Sequence, residues 1–64
     1  MNDRPLRRIT LRPNEAAEAL GVSRSFFFDQ VLPELRVVRR GRVRLIPVAE
    51  LERWAEREAV RAGQ

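Results

Sequence analysis

The amino-acid sequence predicts a mainly α domain with one small β-hairpin, and three observations lead there. Two short apolar-periodic segments are separated by Gly21 and Ser23, a helix stop followed at once by a helix start. A run of β-branched residues and arginines then turns back on itself around Gly41. Finally, Pro47 opens an amphipathic stretch that runs toward the C-terminal end. At 64 residues the chain makes one domain. A domain of this size buries only about 60% of its unfolded surface, so apolar residues at regular spacing are assigned to the core first.

Residues 1–8 read as a flexible basic arm ahead of a domain spanning 9–62, with a short extended piece at Arg8–Leu11. The first helix starts at Pro13, whose fixed φ and missing N–H suit a first helical position. Glu15 and Glu18 complement the positive helix end, Ala16, Ala17 and Leu20 form the buried stripe, and Gly21 closes the helix in a left-handed cap. The Ser23 hydroxyl caps a second helix from Arg24 to about Val31 or Leu32, where Pro33 stops it. So short a break forces the two helices to cross steeply.

Leu35–Arg39 and Arg42–Ile46 form the hairpin. Strict alternation in Arg42-Val43-Arg44-Leu45 predicts one guanidinium face and one aliphatic face. The third helix is expected from Val48 to about Ala62, with Val48, Leu51, Ala55 and Ala59 as its apolar stripe and Gly63 as the stop; Trp54, on the shoulder of the stripe, is assigned to the core, with contact to a neighbouring protomer as the alternative. Glu50–Arg53 and Glu58–Arg61 read as solvated i,i+3 pairs on that helix. In this order the elements make a winged helix-turn-helix: three helices and a two-stranded wing.

Composition narrows the chemistry. There is no cysteine and no histidine. Disulfides and thiolate metal sites are excluded, and the commonest general base and metal ligand are missing. Tyrosine and lysine are absent too, which leaves carboxylates alone for acid–base work. No catalytic residue, metal or cofactor is expected. No segment approaches membrane-spanning length and no apolar leader opens the chain, so the expectation is a soluble protein in the cytoplasm, associated with the nucleoid.

Thirteen basic residues, all arginine, stand against nine acidic ones. The preference for arginine over lysine reflects codon usage as readily as function, but the placement says more. Arg36, Arg39, Arg40, Arg42 and Arg44 lie together without an acid among them, while Glu50, Glu52, Glu56 and Glu58 gather near the other end. A basic side of this kind points to a polyanion. Arg39, Arg40, Arg42 and Arg44 are candidates for gripping phosphates or entering a minor groove.

The second helix supplies the other candidates. Phe26, Phe27 and Phe28 sweep too wide an arc to share one buried stripe. Phe27 pairs with Val31 in the core, while Ser25 and Asp29 lie opposite. Phe26 and Phe28 on the flanks either widen the core contact or touch a thymine methyl or sugar. Ser23, Arg24 and Ser25 stand at the end of the helix that leads into a groove. Asp29 repels phosphates, but it is also able to accept from a cytosine amino group or to pair with an arginine.

Three stretches together resemble the small excisionase-type, MerR-like helix-turn-helix family: Glu15-Ala16-Ala17-Glu18-Ala19-Leu20-Gly21-Val22-Ser23-Arg24-Ser25, Val37-Val38-Arg39-Arg40-Gly41-Arg42, and Leu45-Ile46-Pro47-Val48-Ala49-Glu50-Leu51-Glu52-Arg53-Trp54. The resemblance spans roughly residues 9–57. It implies sequence-specific binding of double-stranded DNA, with the second helix in the major groove and the hairpin as a wing on the adjacent backbone or minor groove. It implies the role of a recombination directionality factor or a small transcriptional regulator. The partners it implies are duplex DNA, an integrase or recombinase, and neighbouring copies bound in tandem. It places Arg24, Ser25, Phe26, Phe28 and Asp29 where the family contacts DNA, and Arg39 to Arg44 on the wing. The chain departs from the family pattern at Arg12, where a threonine or serine usually caps the first helix. It departs again at Phe28, Asp29 and Gln30, and in the Val31–Leu35 segment that replaces a glycine-containing turn. A protein-interaction module that keeps the same framework, with Asp29 and exposed phenylalanines at its contact, is the second reading.

Overall fold

A computed structural model describes residues 8–63. Its order is β1 (Thr10–Leu11), α1 (Pro13–Leu20), α2 (Arg24–Phe26), β2 (Val38–Arg40), β3 (Val43–Pro47) and α3 (Val48–Glu58). Three helices and one antiparallel sheet thus make a small mixed α/β fold, and the sheet has three strands where the hairpin alone predicts two. Strand order is β1-β3-β2. Thr10 pairs with Pro47 and Leu11 with Ile46, while Val38, Arg39 and Arg40 pair with Leu45, Arg44 and Val43. The extended piece ahead of α1 therefore belongs to the sheet. Of the flexible arm expected at residues 1–8, only Arg8 is among the described residues, and it pairs with Glu15.

Both ends of α1 form as their residues require. Gly21 adopts φ 78°, and its N–H reaches the carbonyls of Ala17 and Glu18. At the other end Arg12 has no acceptor to offer as a cap, and Glu15 reaches back instead to accept the Arg12 backbone N–H at 3.0 Å. Ser23 caps α2 as expected, its Oγ accepting from the Phe26 N–H at 3.0 Å.

The second helical segment is less regular than the sequence suggests. Beyond Phe26 the chain stays helical but widens into one π-helical turn at Phe27–Val31, then tightens into a 3₁₀ turn at Leu32–Glu34. Pro33 explains the change. It has no N–H to give the Asp29 carbonyl, and its ring would collide with that carbonyl in an α-helix. The hydrogen bonding shifts, and the Leu32 N–H bonds to the carbonyl of Phe27, five residues back.

The core lies where α1, the second helical segment, β3 and α3 meet. Ala16, Ala17, Phe27, Val31, Ile46 and Leu51 are buried, with Leu11, Leu20, Val22, Leu32, Leu35, Val37 and Trp54 packed around them. Trp54 is half-buried rather than central. Its indole N–H donates to Glu34 Oε1 at 2.9 Å, which ties α3 to the turn after α2.

α3 ends earlier than the apolar spacing predicts. Ala59 is already extended, with φ −69° and ψ 134°, so the helix stops at Glu58 rather than near Ala62. The stripe expected to hold the last turn fails for want of a surface to pack on: Ala55 and Ala59 are exposed, and Val60 is 80% exposed. Gly63, at φ 92°, comes too late to be the helix stop. Glu58 lies beside Arg57 at 3.7 Å rather than pairing with Arg61. Among the described residues no helix is long and apolar enough to cross a membrane.

Candidate functional site

Two basic surfaces stand out, and the hairpin is the first. A glycine at φ 60°, Gly41, makes its turn together with Arg42. The register sets Arg39 directly opposite Arg44, so two guanidiniums stem from one cross-strand pair. Like charges facing each other in this way work against the fold. Side chains alternate along a strand, which puts Arg44 on the same face as the buried Ile46.

Val43 and Leu45 lie on the other face with Val38 and Arg40. The alternation expected along β3 holds, with Arg44 on one face and Val43 and Leu45 on the other, and the paired strand adds two features. Arg40 belongs to the aliphatic side, and that side is largely in solvent, with Val38 40% and Val43 36% exposed. Arg39, Arg40, Arg42 and Arg44 are all exposed, and among the described residues none forms a salt bridge.

A residue with no functional look in the sequence holds the base of the hairpin. Glu50 is buried, and its carboxylate accepts the Arg36 backbone N–H at 2.9 Å and pairs with Arg53. The Arg36 N–H first, then the Arg53 guanidinium, hold its pKa below the ordinary carboxylate value. Glu50–Arg53 is thus not the solvated surface pair its spacing suggests. The strand expected from Leu35 starts only at Val38, and this pair fastens the irregular segment before β2 to the first turn of α3. Only the long-range partner, Arg36, could have shown this, and sequence spacing does not reveal it.

The second basic surface lies at the starts of α1 and α2. Arg24 and Phe28 are neighbours one turn apart, the guanidinium carbon 5.8 Å from the ring centroid, within cation–π range. Phe28 also meets Phe27 edge-to-face at 5.8 Å, which fixes it against the core. Arg24, Ser25 and Phe28 line one shallow surface cleft. Arg24 and Phe28 also line the next, together with Arg12, Pro13 and Asn14.

Among the other sequence candidates, Ser23 is committed to capping through its Oγ. Phe26 and Phe28 are partly in solvent, at 44% and 36%, whereas Phe27 is fully buried. Asp29 is exposed and has no ion pair among the described residues. Arg12 and Asn14 are additions that sequence reasoning missed. Their one signal was Glu15 three residues after Arg12, half of a capping box whose other half is an arginine. Among the described residues no cluster of His, Cys, Asp or Glu is placed to hold a metal ion.

Comparison of the chain with protein-family models, with curated proteins and with solved structures finds no match.

Proposed function

We propose that this protein binds double-stranded DNA in a sequence-specific manner, as a winged helix-turn-helix with the second helical segment in the major groove and the β2–β3 hairpin on the flanking backbone or minor groove. One observation carries the reading. Arg39 and Arg44 face each other across the hairpin, with Arg40 and Arg42 beside them and no carboxylate paired to any of the four among the described residues. Such a cluster costs stability in the free protein and is relieved by an anion. A polyanion satisfies several guanidiniums at once and releases counterions as it does so. The half-exposed Phe28 and the exposed Ser25 offer an apolar and a polar contact to base edges.

In this reading the chain is a binding protein without chemistry of its own, a role suited to an accessory factor in site-specific recombination or to a small regulator. Histidine, cysteine, tyrosine and lysine are all absent, which supports it. The test is a fluorescence-anisotropy titration of labelled duplex DNA at two salt concentrations, with Arg40→Ala/Arg42→Ala alongside and selection from random duplexes to find the preferred site. Affinity that falls steeply with salt and is mostly lost in the double variant supports the proposal. Failure to bind duplex at low salt overturns it. The exposed Phe26 favours a second reading, an interaction module for another protein. Binding through such a contact would barely respond to salt.

A further inference from the structure

The cleft between the starts of α1 and α2 is separate from the hairpin and has its own chemistry. Arg12, from the residue before α1, and Arg24, from the first position of α2, line one shallow concavity with Pro13, Asn14 and Phe28. No carboxylate lines it, and neither arginine forms a salt bridge among the described residues. Two arginines from different elements thus border one space whose lining includes no carboxylate.

Arg12 is not called for by the fold. A helix cap needs an acceptor, and arginine has none. Here Glu15 does the capping, by accepting the Arg12 backbone N–H. The same carboxylate is paired with the Arg8 guanidinium, so the acid nearest Arg12 is already engaged. Arg24 is positioned rather than free, its guanidinium set over the Phe28 ring, which is itself locked against Phe27. Asn14 adds a side-chain amide and, in the first turn of α1, a backbone N–H with no carbonyl one turn earlier to bond.

We infer that this cleft takes a single phosphodiester of the DNA backbone, gripped by Arg12 on one side and Arg24 on the other. This rests on the DNA-binding reading and deepens it. A tetrahedral anion offers oxygens to both planar forks together. A shallow, open cleft suits one link of a polymer that continues past it, whereas a free small anion is better held in an enclosed site. The second helical segment is then held between two backbone grips, this one and the hairpin. That fixes which base edges Ser25 and Asp29 meet, and it offsets the repulsion of Asp29 for the duplex.

The test uses the full chain and a duplex found by selection, with Arg12→Gln, Arg12→Lys and Arg24→Gln, and Arg61→Gln as an exposed control. Thermal melts establish that each variant folds. Arg12→Gln is expected to weaken binding about equally across sequences and to lower the slope of log K against log salt by roughly 0.9, one phosphate contact. Arg12→Lys should keep the slope, and Arg61→Gln should leave it unchanged. Neutral methylphosphonate links, placed one at a time along the duplex, should reveal one position where the wild type loses as much as Arg12→Gln and where that variant loses nothing more.

If the wild type binds DNA through the hairpin but Arg12→Gln keeps its slope and affinity, this inference is wrong and the DNA reading stands. If the wild type does not bind duplex at all, both fall. Inorganic phosphate, compared with chloride at equal ionic strength, separates the two sources of the anion. Saturable shifts of the Asn14 and Arg24 amides with phosphate alone, and no coupled methylphosphonate position, would mark a site for a free small anion and overturn the assignment to DNA.

Discussion

Arg39 and Arg44 oppose each other on one face of the hairpin, and replacing them should move stability and DNA affinity in opposite directions. Threonine is the replacement of choice, since it is polar and suits a strand. Like charges directly opposite in an antiparallel pair are unfavourable by about 0.2–1 kcal/mol. Either single substitution removes that repulsion, so Arg39→Thr and Arg44→Thr should each stabilise the fold, while the double variant gains less than their sum. The shortfall in the cycle is the repulsion itself, because the strand preference of threonine cancels there. In a domain of this size, relief of that order raises Tm by about 1–8 °C. The gain should shrink in 1 M salt, where the Debye length is only about 3 Å.

Under the proposed DNA-binding function, in which both arginines meet phosphates, affinity should go the other way. Loss of two phosphate contacts lowers the salt slope by about 1.8, so the affinity lost between 50 and 200 mM salt becomes about twelve-fold smaller than in the wild type. Thermal melts of the four proteins and anisotropy titrations at the two salt concentrations measure both effects. A coupling of zero or of attractive sign would refute the facing-charge argument. An unchanged salt slope would refute the assignment of these arginines to phosphate.

Three further perturbations test the frame that carries these surfaces. Ser23→Ala removes the hydroxyl that accepts the Phe26 N–H and should cost about 1 kcal/mol, read as a Tm lowered by roughly 4–8 °C. Phe27→Ala empties the centre of the core at a cost of about 3–5 kcal/mol, comparable with the whole stability of a domain this small, and circular dichroism should find it largely unfolded at 25 °C. Glu50 is held below its ordinary value near 4.5 in the folded state, so its contribution is present above that pH and is lost as pH falls through the lowered folded value. The acid limb of the wild-type stability curve should therefore be steeper than that of Glu50→Gln, as measured by melts between pH 7 and pH 3.

Local chemistry made much of this fold legible. Gly21, Ser23, Pro13 and Pro47 act within a turn of themselves, and each sits at the helix boundary expected of it. Phe27 and Val31 followed from helical spacing alone. What spacing could not show was set by distant partners or by the lack of them. Ala55 and Ala59 have the right period, but both stay exposed, and the helix ends at Glu58. Glu50 looks like half of a surface pair until Arg36, fourteen residues away, places a backbone N–H against it.

The candidate surfaces divide in the same way. The arginines of the hairpin were visible as a run, but which of them share a face depended on a register that only the paired strands define. Arg12 stands out in the sequence only as an unusual residue before a helix, because the cleft it lines is completed by Arg24 from a different element. Pro33 predicts a stop, but the chain passes through it in a 3₁₀ turn to Glu34, and the π-helical turn begins six residues earlier, at Phe27.

The pairing of β1 with β3 has a consequence for how the chain comes together. Ile9 gives its carbonyl to the Val48 N–H at 2.8 Å, so a residue near the start of the domain completes the opening turn of its last helix. A ribosome delivers Ile9 long before Val48 exists, and the stitch can close only once the hairpin and α3 have emerged. The final helix and the leading strand are thus joined by a contact that forms only after both have been made. In hydrogen exchange the Val48 amide should open together with the core rather than with the frayed end of α3. A tag or truncation that disturbs Ile9 would then be felt at the opposite end of the sequence.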